Sequence, residues 1–178
     1  MVPAKDNVLY EGSFPASNGA GQGLFAGQTN GGNNRRALLA FDIAGQIPAG
    51  AIVRSVTLTL NMNRTRSGDQ GMRLHRLLAS WGEGLSDALA EEGGGARSAA
   101  GGATWTEPYL DGAVWVTEGS DFDPTASGST AVGRTPDAYV WESTPAMIAD
   151  VQRWLDSPGS SFGWALVGNE TDNRTTKR

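Results

Sequence analysis

Val56-Thr57-Leu58-Thr59-Leu60-Asn61-Met62 is the stretch whose reading decides the fold. Val56, Leu58, Leu60 and Met62 alternate with Thr57, Thr59 and Asn61, so the apolar residues fall on one face and the polar residues on the other. A period of two is the period of a strand. One apolar and one polar face suits an antiparallel sheet with one side in water. After a turn at Gly68-Asp69, Met72-Arg73-Leu74-His75-Arg76-Leu77 continues the pattern, with His75 on the face opposite Met72, Leu74 and Arg76.

Further strands are expected on either side. Val8-Leu9-Tyr10 is a short apolar run that reads as a first strand, and beyond a Gly/Asn turn Leu24-Phe25-Ala26 is a short strand or an apolar anchor. Arg36-Ala37-Leu38-Leu39-Ala40-Phe41-Asp42 is short, apolar and bounded by turn residues, as a buried strand would be. Val114-Trp115-Val116, Ala138-Tyr139-Val140-Trp141 and Phe162-Gly163-Trp164-Ala165-Leu166-Val167 have the same character, and a polar loop holding Asp121-Phe122-Asp123-Pro124 is expected among them. One helix is signalled. Ser143 or Thr144 can cap it, Pro145 suits its first position, and Met147, Ile148, Val151, Trp154 and Leu155 share a face before Ser157-Pro158-Gly159 stops it. Residues 79–112, with Gly93-Gly94-Gly95 and Gly101-Gly102, form a long segment of little periodicity, and residues 169–178 are polar throughout. These signals predict an all-β chain: a jelly-roll-like antiparallel β-sandwich with one short helix from about 144 to 156 and a long Gly-rich loop. Its 178 residues suit one domain spanning the whole sequence.

Composition narrows the function. The net charge of −5 argues against nucleic acid, which requires a basic face. No cysteine is present, which excludes disulfides, thiolate metal sites and cysteine nucleophiles. The opening Met1-Val2-Pro3-Ala4-Lys5-Asp6 has no apolar run of the kind a signal peptide needs, and no stretch is long and apolar enough to insert in a membrane.

Candidate chemistry is sparse. His75 is the sole histidine, and no Gly-x-Ser-x-Gly elbow supplies a nucleophile for it. Carboxylates at Glu83, Asp87, Glu91, Glu92, Glu107 and Asp111 could in principle act as an acid and base pair, but the sequence leaves their geometry open. Asp121 and Asp123 form an Asp-x-Asp of the type that loops offer to a structural calcium ion, and they are equally good turn residues. Trp81, Trp105, Trp115 and Trp141 are candidate platforms for stacking on sugar rings, or core residues. Arg35, Arg36, Arg64, Arg66, Arg73 and Arg76 gather at strand ends, where a guanidinium fork can grip a carboxylate or simply guard a sheet edge. Asn63, Asn169 and Asn173 each begin an Asn-x-Thr sequon.

Several segments together resemble the DNRLRE-type, disaggregatase-related domain of bacterial and archaeal exported proteins. They are Lys5–Glu11, Arg35–Ile43, Ile47–Val53, Val56–Leu60, Trp81-Gly82-Glu83-Gly84, Ala103-Thr104-Trp105 and Phe162–Leu166, and in order and spacing they cover nearly the whole chain. The resemblance implies a β-sandwich of secreted or cell-surface proteins. It also implies a non-catalytic role, either as a structural domain or as a carbohydrate-binding module in which basic residues and a histidine hold an acidic glycan. By position these would be Arg36 and His75, with Arg64, Arg66 and Arg73 nearby. Domains of this type continue past the region of Thr175-Thr176-Lys177-Arg178 into a final strand. The expectation is therefore an open sheet edge near residue 178, able to accept a strand from a neighbouring subunit. Three functions follow: a carbohydrate-binding module, a self-associating surface or filament subunit, and, last, a polysaccharide hydrolase or lyase using the loop carboxylates.

Overall fold

The structure is a computed structural model and describes residues 1–90 and 92–178. Its strands are β1 (Lys5–Tyr10), β2 (Ala16–Ser17), β3 (Gly27–Gln28), β4 (Asn34–Ala40), β5 (Leu58–Met62), β6 (Gln70–Leu77), β7 (Ala96–Arg97), β8 (Phe122–Val132), β9 (Asp137–Trp141) and β10 (Trp164–Val167). Two α-helices accompany them, α1 (Ile43–Gln46) and α2 (Pro145–Asp156), and a single 3-10 turn at Pro158–Ser160 follows α2. Every pairing is antiparallel. The main sheet runs β1-β4-β10-β6-β8, with β3 extending the line of β10 along β4. The fold is all-β and sandwich-like, as the alternation at 56–62 predicts.

The run Ala37-Leu38-Leu39-Ala40 does not alternate because both faces of its strand are buried. Ala37 and Leu39 face one core, with Met72, Leu74, Trp164 and Leu166 from neighbouring strands. That side is closed by Met147, Val151, Trp154 and Leu155 of α2 and by the two-stranded β5–β9 sheet. Leu38 and Ala40 face a second core with Leu9, Ala165 and Val167. The long Gly-rich segment covers this second side and contributes Trp81, Ala103, Trp105 and Trp115. It is thus a third layer of the structure and not a free loop.

A layer whose one strand among the described residues is the two-residue β7 must still satisfy its backbone polar groups, and irregular backbone bonds such as Ala103 N to Gly82 O at 2.7 Å meet many of them. Asn7 of β1 adds to this from a fully buried position. Its Nδ2 donates to Ala103 O at 3.1 Å and Gly82 O at 3.4 Å, and its Oδ1 accepts from Val8 N at 2.7 Å and Asn18 N at 2.9 Å. Lys5 Nζ donates to Trp81 O, and Asp6 N to Glu83 Oε1 at 2.9 Å. The outer edge of β1 is closed in this way. At the opposite edge β8 carries Pro124 and two register irregularities against β6, features that discourage further pairing.

Helix α2 begins where the sequence places it. Thr144 Oγ1 accepts the N–H of Met147 at 3.0 Å and Pro145 opens the first turn. Two expectations need correction. Residues 114–116 are not a strand: Trp115 alone turns inward, its indole N–H donating to Thr104 O at 3.0 Å, while Val114 and Val116 are exposed. The polar loop expected at Phe122-Asp123-Pro124 is instead the start of β8, the longest strand, drawn into the sheet by pairing with β6.

The chain end bears on the expected open edge. Residues 177–178 pair with Ala26, Asn63 and Arg64 just past the end of β5, while β5 itself pairs only with β9 among the described residues. Lys177 exchanges backbone hydrogen bonds with Ala26 at 2.9 and 3.2 Å, and Arg178 N donates to Arg64 O at 3.0 Å while Asn63 N donates to Arg178 O at 2.9 Å. Thr175 and Lys177 are buried. The Lys177 ammonium donates to Gly68 O and Gly133 O, each at 2.7 Å, and to Ser67 O at 3.4 Å. Desolvation lowers its pKa, opposed by the Asp69 charge. Lys177→Met keeps an unbranched apolar stem, one atom shorter, but strands these carbonyls. A loss of about 3 kcal/mol is expected, read in thermal denaturation as a fall of roughly 10 °C; an unchanged midpoint would remove the ammonium from this role.

Candidate functional site

Strand-like alternation at the end of the chain builds the most distinctive surface of the molecule. Thr175 and Lys177 point inward, so Arg174, Thr176 and Arg178 point the other way. Arg64, Thr65 and Arg66 follow β5 on the neighbouring segment, and Thr65 Oγ1 donates to Thr176 O at 2.9 Å. Together these residues wall a cleft of about 390 Å³. Phe25 lies in it beneath the Arg178 guanidinium, 5.6 Å from ring centroid to Cζ. Thr29 and Asn30 close the far side, and Arg174 Nε donates to Asn30 Oδ1.

Among the described residues that line the cleft, four are arginines and none has an acidic side chain. Among the described residues, one carboxylate lies behind it. Glu92, 3% exposed, accepts from Arg178 Nη2 at 2.8 Å and from Gln22 N at 2.6 Å. Arg66 and Arg174 stand in solvent. Arg174 has φ of 65°, a left-handed conformation that costs a non-glycine residue about 1 kcal/mol. Strain of this kind gathers where a side chain must be aimed. Thr176 Oγ1 and Arg178 Nε are enclosed and have no hydrogen-bond partner among the described residues. The cleft therefore offers guanidinium groups, hydroxyls and one aromatic surface, a combination suited to a polar anionic ligand.

The five expected ligand residues divide between two places. Arg64 and Arg66 belong to the cleft. Arg36, Arg73 and His75 lie on the face of the main sheet that the Gly-rich layer covers. Arg36 forms a two-pronged ion pair with Glu170, Nε to Oε1 and Nη2 to Oε2, both 2.8 Å. Its Nη1 donates to Gly119 O at 2.7 Å, and its guanidinium sits over the rings of Trp105 and Phe122. These contacts use the fork to clamp the layer onto the sheet. Gly119 must be glycine for this clamp: at φ of 80° a Cβ would stand 2.5 Å from Arg36 Nη1.

His75 is buried, packs on Phe122 with centroids 4.8 Å apart, and bonds through Nδ1 to Asp123 O at 2.9 Å. Burial lowers its pKa, helped by the Arg73 and Arg36 charges and opposed by the bond to Asp123. It is therefore a neutral packing residue in the fold. Arg73 alone of the three is exposed.

The other candidates are engaged as well. Asp121 accepts the N–H groups of Thr117 at 2.8 Å and Val116 at 3.1 Å. Asp123 accepts Arg76 Nη2 at 3.0 Å and Thr125 N at 3.0 Å, and these bonds hold its carboxyl below its ordinary pKa. No group of three or more potential metal ligands occurs among the described residues. All six tryptophans are buried, so none is a sugar platform. Of the loop carboxylates, Glu107 and Asp87 accept nearby backbone N–H groups, and Glu91 lies outside the described residues.

Two features escape sequence reading. Arg174 and Arg178 sit in a tail that looks uniformly polar, although Arg-Thr-Thr-Lys-Arg hides an alternation once Lys177 is turned inward. Asp6 and Glu83, far apart in sequence, meet at the edge of β1. Burial, and then the Glu83 charge, push the Asp6 carboxyl up to about 6.

Comparison with protein-family models, with curated proteins and with solved structures finds no match. No helix among the described residues is long and apolar enough to cross a membrane.

Because the folded pKa of Asp6 lies above its ordinary 3.8, the ionised form works against folding. Asp6→Asn is expected to stabilise the protein by about 1 kcal/mol at pH 7, after allowance for solvent screening. The gain shrinks as pH falls through about 6 toward 3.8. Chemical denaturation at several pH values measures it, and a gain independent of pH would contradict the assignment.

Proposed function

We propose that this chain is a non-catalytic module that binds an anionic polysaccharide in the arginine cleft. The observation that carries the reading is the gathering of Arg64, Arg66, Arg174 and Arg178 around one cleft in a chain of net charge −5. Scattered arginines in an acidic protein are ordinary; four around one hollow, with Phe25 and three threonine hydroxyls, form a local field of opposite sign. Guanidinium forks match the carboxylates of uronic acids, and the hydroxyls and ring suit the rest of the sugar. The non-catalytic reading is supported by the same inspection: the one histidine is buried and neutral, and Glu83, Asp87, Glu92 and Glu107 are occupied in holding backbone N–H groups.

The resemblance to exported, disaggregatase-related domains supports a place outside the cell or on its surface. There the module would hold a parent protein or a neighbouring subunit to an acidic glycan. The basic face that such relatives use is, in this chain, largely consumed by the Arg36 clamp, and the binding role moves to the chain end.

Titration with alginate, a uronate polysaccharide, tests the proposal. Arg66→Ala together with Arg174→Ala should weaken binding by at least roughly ten-fold, a change of about 1.4 kcal/mol. Arg73→Ala, on the far face, should leave it unchanged. Affinity should fall with added salt. Wild-type protein that fails to bind any uronate or sulfated polysaccharide would overturn the reading.

A further inference from the structure

The chain contains two Asn-Gly dipeptides, Asn18-Gly19 and Asn30-Gly31, and the structure treats them oppositely. Asn18 is 1% exposed. Its Oδ1 accepts Ala88 N at 2.9 Å, and its Nδ2 donates to Gly23 O at 3.3 Å. The space beside Gly19 is closed, since a Cβ there would lie 1.9 Å from Glu83 O. Asn30 and Gly31 are both exposed. They sit in a tight turn held by Thr29 N to Asn33 O at 2.9 Å and Gly32 N to Thr29 O at 3.3 Å. The Gly31 N–H has no partner among the described residues, and a Cβ at Gly31 would meet nothing closer than Thr29 Oγ1 at 3.9 Å. Asn30 Oδ1 accepts from Arg174 Nε at the wall of the cleft.

We propose that Asn30 is a modification site, at which deamidation through a succinimide closed onto the Gly31 nitrogen places a carboxylate in the arginine cleft. The Gly31 nitrogen gives its proton to solvent base and attacks Asn30 Cγ. The new N–Cγ bond forms, the Cγ–Nδ2 bond breaks, and Nδ2 leaves as ammonia with protons from water. A water molecule then opens the ring at either carbonyl, giving aspartate or isoaspartate. No redox partner is needed. Glycine at 31 favours the attack because no side chain shields its nitrogen, and the open turn lets the backbone move. At Asn18 the same chemistry waits on local unfolding.

The consequence for binding rests on the reading of the cleft as an anion site. A carboxylate at position 30 lies against Arg174 and cancels part of the positive field, so a deamidated molecule holds an acidic glycan less well. The modification would then act as a clock on binding, running without an enzyme and faster in alkaline surroundings.

The test incubates the full chain, folded, at mildly alkaline pH and follows conversion by fragment mass spectrometry. Conversion at Asn30 should exceed that at Asn18 by at least about ten-fold, the difference vanishing in denaturant, where both sites open. Gly31→Ala should slow conversion at Asn30 while leaving the fold intact. Equal rates at the two sites in the folded chain, or no effect of Gly31→Ala, would overturn the modification site. For the second step, Asn30→Asp should reduce alginate affinity several-fold against wild type. If Asn30 converts as expected but Asn30→Asp binds alginate like wild type, the clock is overturned and the modification stands. If wild type itself does not bind, the cleft reading is what has failed.

Discussion

A sheet buried on both faces needs two covers, and this protein builds one of them with almost no regular structure. That constraint governs much of what surrounds it. The segment from about 79 to 119 has only the two-residue β7 for regular pairing among its described residues, so its carbonyls and N–H groups are met by irregular backbone bonds, such as Ala103 N to Gly82 O and Leu110 N to Gly102 O, supplemented by side chains reaching from the sheet. Asn7 is the center of this arrangement, with both ends of its amide used on two stretches of chain. Arg36 repeats the solution farther along, donating to a loop carbonyl while its guanidinium lies over the rings of Trp105 and Phe122. The glycines of the segment are the counterpart: Gly82 and Gly119 lie so close to backbone or side chain that a Cβ would not fit. Residues that look like ligand groups on an exposed face become fasteners once that face is covered.

The legible parts of the fold are those where local pattern and tertiary position agree. Leu58–Met62 alternates because one face meets the core and the other meets water, and it is a strand. Helix α2 carries a capping threonine, a proline in its first turn and an apolar face, and each signal is local. Val114-Trp115-Val116 fails for a physical reason: two β-branched residues favour strand in isolation, but only Trp115 has a place in the core. Phe122–Val132 fails in the opposite sense, since Asp, Pro, Ser and Gly give a turn-like composition while β6 supplies the partner that makes a strand.

The site was legible only by half. Arg64 and Arg66 stand out because they end a recognisable strand. Arg174 and Arg178 join them through pairings that span more than 100 residues, such as Arg178 to Arg64 and Thr65 to Thr176. Nothing local marks them. His75 and Arg36 misled for a related reason: their chemistry is suitable, but sequence carries no signal for what lies on top of them. Burial by a distant irregular segment is the information that a single sequence conceals most fully.

The Lys177 ammonium has a consequence of another kind. Ser67, Gly68 and Gly133 turn their carbonyl oxygens toward one point, which is the arrangement by which loops commonly engage a hard metal cation. In this protein the cation is tethered to the backbone. Its local concentration is fixed by the covalent chain and owes nothing to the ions dissolved outside. Two loops and the chain end are thereby joined by a charge that no chelator can withdraw and no scarcity of minerals can empty.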